Sequence, residues 1–252
     1  MTSCAPPAVV YACGPSAIGA LAGLAAAAED RGYAVRGAVS DSVAPYGQLA
    51  SRPGWARVGG IAGGAAPVLV VASRRDLGPC PPVVRVVELT PAPDTRRCTM
   101  AEAGAGAEVV WCSVFPGELS QLGSARRLVR AFLRPRTVAG CAWDADEVGL
   151  AVHELVANAT RHGSVSGTGD PVVLTLRWAR WFLEAAVEDR SPVLPCARPA
   201  QAGACSGRGL GIVDSVAHSW GSRTNHTGPG KTVWMRVEHD RAPRPRFFTS
   251  AA

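Results

Sequence analysis

Val148 to His162 reads V-G-L-A-V-H-E-L-V-A-N-A-T-R-H. Leu150, Leu155, Val156 and Ala159 fall at helical spacing, and Asp144 or Asp146 stands where a carboxylate can cap the start of the helix. Glu154 and Asn158 are one turn apart, with His162 four residues further on, so the three project from one helical face. An Asn carbonyl oxygen is a neutral, hard ligand suited to Mg²⁺. A carboxylate one turn earlier can orient or deprotonate a nucleophile. Taken alone, E-x-x-x-N is more often a polar stripe facing solvent, so the pattern has to be read with its neighbours.

Three elements follow in order. Glu184 to Pro192 (E-A-A-V-E-D-R-S-P) is an apolar strand that ends on Asp189 before a turn-forming Ser-Pro. A carboxylate there can accept from an exocyclic amine such as that of adenine, although an Asp capping a turn is the commoner reading. Ser206 to Val213 (S-G-R-G-L-G-I-V) sets alternating glycines at the start of a helix running from Leu210 to Trp220. Open backbone amides and a helix N-terminus favour a phosphate. The stretch fits neither a dinucleotide-binding strand-to-helix turn nor G-x-x-x-x-G-K-[ST]. Gly228 to Val237 is a glycine turn feeding an alternating strand, with Thr232 placed to hydrogen-bond a base or a trapped water.

Upstream, Ala8 to Ala12 is a short apolar strand leading into an Ala/Leu helix, Ala17 to Asp30, stopped at Gly32. The apolar run Pro67 to Ala72 suits a central parallel strand, and Pro82 to Leu89 is a further strand. Thr90 to Glu108, with two prolines and Ala-Gly alternation, reads as a linker. The expected division is a small α/β domain over 1–89, a linker over 90–110, a nucleotide domain over 111–240 beginning near Val109 or Trp111, and a disordered tail over 241–252.

The 252 residues fit one large or two small domains. Hydrophobic content is 47%, carried largely by Ala and Val with only 5 Phe and 3 Tyr, so the cores bury modest area. A net charge of +6 is diffuse and has no basic run, which argues against nucleic acid as the partner. The eight cysteines form no C-x-x-C pair and no zinc spacing. The N-terminus lacks the build of a signal peptide, and no apolar run reaches the roughly 20 residues that span a bilayer. A cytoplasmic protein with reduced thiols is expected.

Together and in this order, the four elements resemble the GHKL ATPase superfamily of histidine kinases, gyrase B and MutL proteins. Within it they look most like the RsbW-type anti-sigma factors and serine/threonine kinases. The stretches that carry the likeness are A-R-R-L-V-R-A-F-L (Ala125 to Leu133), E-L-V-A-N-A-T-R-H-G, V-E-D-R-S, G-R-G-L-G-I-V-D-S-V-A-H-S-W-G and G-K-T-V-W. They span about half the chain. The resemblance implies a Bergerat-type two-layer α/β sandwich, a mixed sheet with helices on one face, preceded by a small α/β domain. It implies ATP and Mg²⁺ as ligands. Asn158 would bind the metal and Glu154 would be the catalytic base. Asp189, assisted by Thr232, would hold adenine. Gly207, Arg208, Gly209, Leu210 and Gly211 would belong to the phosphate lid, with Cys196 to Cys205 as its mobile part. His162 would touch nucleotide or cap the helix, and the cap is preferred. Where the superfamily often has D-x-G-x-G, this chain has Asp189-Arg190-Ser191-Pro192, which lowers the expected affinity for the base.

The implied activity is phosphorylation of a STAS-type antagonist protein, with a sigma factor as the second partner. The alternative is an ATP-dependent partner-switching module without turnover. A homodimer is left open. The N-terminal unit resembles the catalytic domain of serine recombinases through Tyr11, the Leu21/Leu24 helix, Glu29 to Tyr33, Arg52-Pro53-Gly54-Trp55 and Val68 to Leu77. That family carries Tyr-x-Arg-Val-Ser at its first strand. Here Cys13 takes the arginine position and Ser16 is displaced by one, so the unit reads as a catalytically silent relative kept for dimer or partner contacts. A generic α/β sensor domain fits as well.

Overall fold

The computed structural model describes residues 5–14, 17–41, 52–61, 68–73, 77, 85–90, 109–133, 144–165, 170–179, 182–195, 209–225 and 229–238. The chain forms two compact units, one of Met1–Val114 with Ala131–Arg136, the other of Phe115–Arg130 with Thr137–Ala252. Expectations for Gly207, Arg208, Ser16, the Cys196 to Cys205 lid and the tail after 238 lie outside the described residues.

In the first unit the strands are β1 (Pro7–Cys13), β2 (Ala34–Asp41), β3 (Val68–Val71), β4 (Val86–Glu88) and β5 (Val109–Phe115). They lie in the order β4-β3-β1-β2-β5 with parallel pairing throughout. Such strands are covered on both faces, which is why β1 and β3 read as continuous apolar runs. Helix α1 (Ala17–Asp30) connects β1 to β2 and buries its Leu and Ala side chains. It stops as expected, with Gly32 at φ 80° and the amide of Tyr33 donating to Ala28 O at 3.1 Å. Strand β5 pairs with β2 from Val110 opposite Gly37 to Val114 opposite Asp41. It thereby belongs to the first unit up to Val114.

Asp41 closes the C-terminal end of β2 and is completely occupied. Tyr11 donates to its Oδ2 at 2.8 Å, and the Gly54 amide donates to its Oδ1 at 2.8 Å at the start of α2 (Trp55–Ile61). Arg52 Nη1 in turn donates to the Tyr11 hydroxyl at 3.3 Å, and Trp55 stacks edge-on against the Tyr11 ring. Burial holds the Tyr11 phenol protonated well beyond its ordinary range. Cys13, the last residue of β1, is half-buried.

The second unit is an antiparallel sheet in the order β6-β7-β9-β8: β6 (Val172–Ala179), β7 (Phe182–Asp189), β8 (Ser219–Thr224) and β9 (Lys231–Glu238). After α3 (Leu122–Leu133), helices α4 (Ala145–His162) and α5 (Gly209–Val216) pack together, α4 against β6, β7 and β9 and α5 against β8. This is the expected two-layer arrangement of helices on one face. On the opposite face Phe182 lies beneath the guanidinium of Arg236, and Glu184 accepts from Arg236 at 2.6 Å.

Two sequence expectations change. Asp144 is the N-cap of α4, accepting from the amides of Asp146 at 2.6 Å and Glu147 at 3.2 Å, so the helix starts at Ala145 rather than Val148. Its buried stripe is Val148, Ala151, Val152, Leu155, Val156 and Ala159, while Leu150 is 42% exposed. The glycine-led helix was expected to reach Trp220 but ends at Val216. The His218 amide donates to Arg236 O and Trp220 pairs with Met235, so pairing with β9 takes over the chain. Trp220 Nε1 still donates to Asp214 on α5 at 3.0 Å.

Candidate functional site

Asp189 is the last residue of β7 and faces the helical layer with Leu183, Ala185 and Val187, all buried. Two donors converge on its Oδ1: Lys231 Nζ at 2.9 Å and the Ser191 amide at 2.9 Å. Its Oδ2 is buried and has no hydrogen-bond partner among the described residues. Burial pushes the carboxyl up from its ordinary range, while the hydrogen bond and charge of Lys231 and the Ser191 amide oppose that rise.

The backbone around the carboxylate is close. Gly163, the C-cap of α4, has no side chain where Asp189 packs: a Cβ there would lie 2.5 Å from Asp189 Cβ and 2.7 Å from Cγ. The Arg190 amide donates to Gly163 O at 3.1 Å, which ties the end of β7 to the end of α4. On the other side Gly230, at φ 122°, would carry a Cβ 2.0 Å from Asp189 O. Only glycine meets both that conformation and that approach.

Lys231 is the residue the sequence reading missed. It stands directly opposite Asp189 in the β7–β9 register. Thr232 pairs instead with Glu188, and strand alternation turns its side chain from the face that carries Asp189. Thr232 is buried and its hydroxyl is 2.7 Å from Asn225 Oδ1, to which it donates. The structure therefore brings Lys231, and not Thr232, to the carboxylate. The G-P-G-K turn before β9 was visible in the sequence, but the pairing of β9 with β7 that aims the lysine was not.

Glu154 and Asn158 are half-buried on α4, one turn apart as expected. Glu154 points at the first residue of α5: a Cβ on Gly209 would meet Glu154 Oε2 at 2.7 Å. The carboxylate and the amide-rich start of the glycine helix thus lie side by side. Leu210 is half-buried, while Gly211 is exposed with open space where a side chain would be. His162 is exposed in the last turn of α4 beside Arg161, at the helix end that favours positive charge. His153, beside Glu154 in sequence, is held below its ordinary pKa by burial first and by Arg126 next. Its Nδ1 is buried without a partner.

The arrangement offers a deep acceptor at one end, the unpaired Oδ2 of Asp189, and a carboxylate and a carboxamide along one helix face beside an N-terminus. The first can accept from an N–H donor such as an amine. The donor set of Asn158 and Glu154 fits a hard divalent cation with phosphates. Among the described residues no cluster of three or more His, Cys, Asp or Glu side chains is placed to hold a metal by itself. No helix of the described residues is long and apolar enough to cross a membrane.

Residues 115–237 match the family model described as the histidine kinase-like ATPase domain. The C-terminal half of the chain accordingly contains an ATP-binding ATPase domain of the GHKL type. The match begins at Phe115, the first residue of the second unit, and ends at Val237 in β9. No curated protein sequence matches the chain.

Proposed function

We propose that the chain is a cytoplasmic serine/threonine protein kinase of the anti-sigma type, and that its C-terminal unit binds Mg-ATP to phosphorylate an antagonist protein. The observation that carries the nucleotide part is the buried Oδ2 of Asp189, an acceptor with no partner among the described residues. Burying an acceptor without a bond costs about 1–3 kcal/mol, and the exocyclic amine of adenine supplies the missing donor. Asn158 would hold Mg²⁺ through its side-chain oxygen, and the amides at the start of α5 would receive phosphate. Bound Mg-ATP supplies the transferable phosphoryl group.

Glu154 is the candidate base. It lies at the start of α5, beside the helix end that favours negative charge. From there it would take the proton of an incoming Ser or Thr hydroxyl and hold that oxygen oriented. Phosphorylation adds about −1.5 to −2 charge to the antagonist and breaks its docking surface. The kinase is then free to sequester a sigma factor. These two partners rest on the resemblance to RsbW-type proteins. In this reading the first unit, whose Tyr11–Asp41–Arg52 network is internally bonded, serves partner contacts rather than chemistry.

The test uses the full chain with γ-labelled ATP and a panel of STAS-type antagonists. Label incorporated by the wild type and lost in Glu154→Ala supports the kinase. Thermal stabilisation by Mg-ATP with no label on any antagonist leaves the partner-switching module. The absence of any thermal shift with ATP or ADP overturns both.

A further inference from the structure

Among the described residues, two buried aspartates end strands, and they are satisfied differently. Asp41 has a donor on each oxygen, from Tyr11 and from the Gly54 amide. That is the pattern of a structural carboxylate. Asp189 has two donors on Oδ1 and none on Oδ2. A lysine serving only to neutralise a buried acid can bridge both oxygens, whereas Lys231 goes to one. Its ammonium also lies 3.4 Å from Ser191 O, so it is held from two sides.

We propose that Lys231 is a positioning residue for base recognition: its ammonium pins Oδ1 of Asp189 and keeps the carboxylate anionic, leaving Oδ2 as a pure acceptor that admits a 6-amino purine and rejects a 6-oxo purine. The proposal rests on the reading of Asp189 as the base-binding group. An ionised carboxylate only accepts, so it pairs with an N–H and repels the carbonyl of a 6-oxo base. A protonated carboxyl gains an O–H donor and tolerates that carbonyl. The identity of the base is therefore set by the protonation of Asp189, and Lys231 controls it.

The surroundings leave this control to the lysine. Asp189 and Lys231 are 5% and 6% exposed, so solvent does little to stabilise the anion. Burial favours the neutral acid, and Lys231 is the one charged group acting against it among the described residues. Arg161 and His162 at the end of α4 and Arg190 after β7 are exposed, and Glu188 lies on the opposite face of β7. The turn before β9 brings the lysine to this position through Gly230, which cannot carry a side chain there.

The experiment measures binding of ATP and of inosine triphosphate by the full chain between pH 5.5 and 8.5, for the wild type, Lys231→Met and Lys231→Arg. The wild type is expected to prefer ATP by about tenfold or more, with little change between pH 6 and 8. Lys231→Met should bind ATP more weakly as the pH falls and lose the preference by pH 6, while Lys231→Arg restores both. A folded Lys231→Met with wild-type preference and a flat profile overturns the role of the lysine and leaves the base-binding reading standing. A wild type that binds neither nucleotide overturns that reading and the proposal together. Should Lys231→Met not fold, the carbon-13 carboxyl signal of Asp189, assigned by its loss in Asp189→Asn, decides on the wild type. An ionised carboxylate at pH 7 supports the proposal, and a protonated one overturns it.

Discussion

Gly163→Ala tests whether the contact between the end of α4 and the end of β7 sets the position of the Asp189 carboxylate, proposed above to bind the base. The new Cβ would lie 2.3 Å from Ala159 O, 2.5 Å from Asp189 Cβ and 2.7 Å from Asp189 Cγ. All three fall far inside van der Waals contact. One neighbour is backbone, and the other is a buried side chain already held by Lys231 and Ser191, so neither can yield without breaking a bond. Overpacking of this kind costs about 1–3 kcal/mol. Displacing the carboxylate also removes a charge-assisted hydrogen bond to ligand worth about 1.5–3 kcal/mol, or roughly 10–150-fold in affinity. Gly60→Ala is the control: it has open space for a Cβ on α2 of the first unit and gains about 0.5–1 kcal/mol of helix propensity. Urea denaturation at 25 °C and calorimetric titration with a non-hydrolysable ATP analogue read both terms. A Gly163→Ala protein within about 0.3 kcal/mol of wild type and with unchanged affinity would refute the steric reasoning.

Leu155→Ala, in the buried stripe of α4, should cost about 2–5 kcal/mol, whereas Leu150→Ala on the exposed side should stay within about 0.5 kcal/mol in the same denaturation assay. His153 has its pKa lowered in the folded state. Its contribution is therefore fully present above the unfolded pKa of about 6.5 and is lost as the pH falls through the folded value. Wild-type stability should drop on acidification below that point, and His153→Gln should flatten this part of the profile; equal slopes would contradict it. Tyr11→Phe strips the donor from Asp41 Oδ2 and the acceptor from Arg52 Nη1, and a thermal melt should register a loss of about 1–3 kcal/mol.

Local rules carried much of the fold. Helix α1 and its stop need only an Ala/Leu run and a glycine free to take φ 80°. The cap of α4 needs only an Asp before a helical period. The departures come where a distant partner decides. In α4 small residues, Ala151 and Ala159, share the buried face, so the large Leu150 misleads a reading that weights size. From Leu210 to Trp220 the sequence keeps a helical apolar period, yet His218 and Trp220 are claimed by Arg236 and Met235 on β9. No window over 209–220 contains that information. The same holds for Lys231, which reads as an ordinary basic residue after a glycine turn until the register sets it opposite Asp189.

A carboxylate at a strand end is also uninformative until its donors are counted. Asp41 and Asp189 look alike in sequence, each being the last residue of a strand. Filling both oxygens, as around Asp41, stabilises a loop and leaves nothing for a ligand. Filling one and burying the other, as at Asp189, leaves the ligand-free state carrying about 1–3 kcal/mol of unmet hydrogen bonding. That deficit is returned only when a donor arrives, so occupancy of the site and stability of the C-terminal unit are coupled from the outset. Gly163 closes on the Asp189 side chain, while Gly230 closes on the Asp189 main-chain carbonyl. On the proposal that Asp189 holds the base, a larger residue at Gly163 would displace its carboxylate and weaken nucleotide binding.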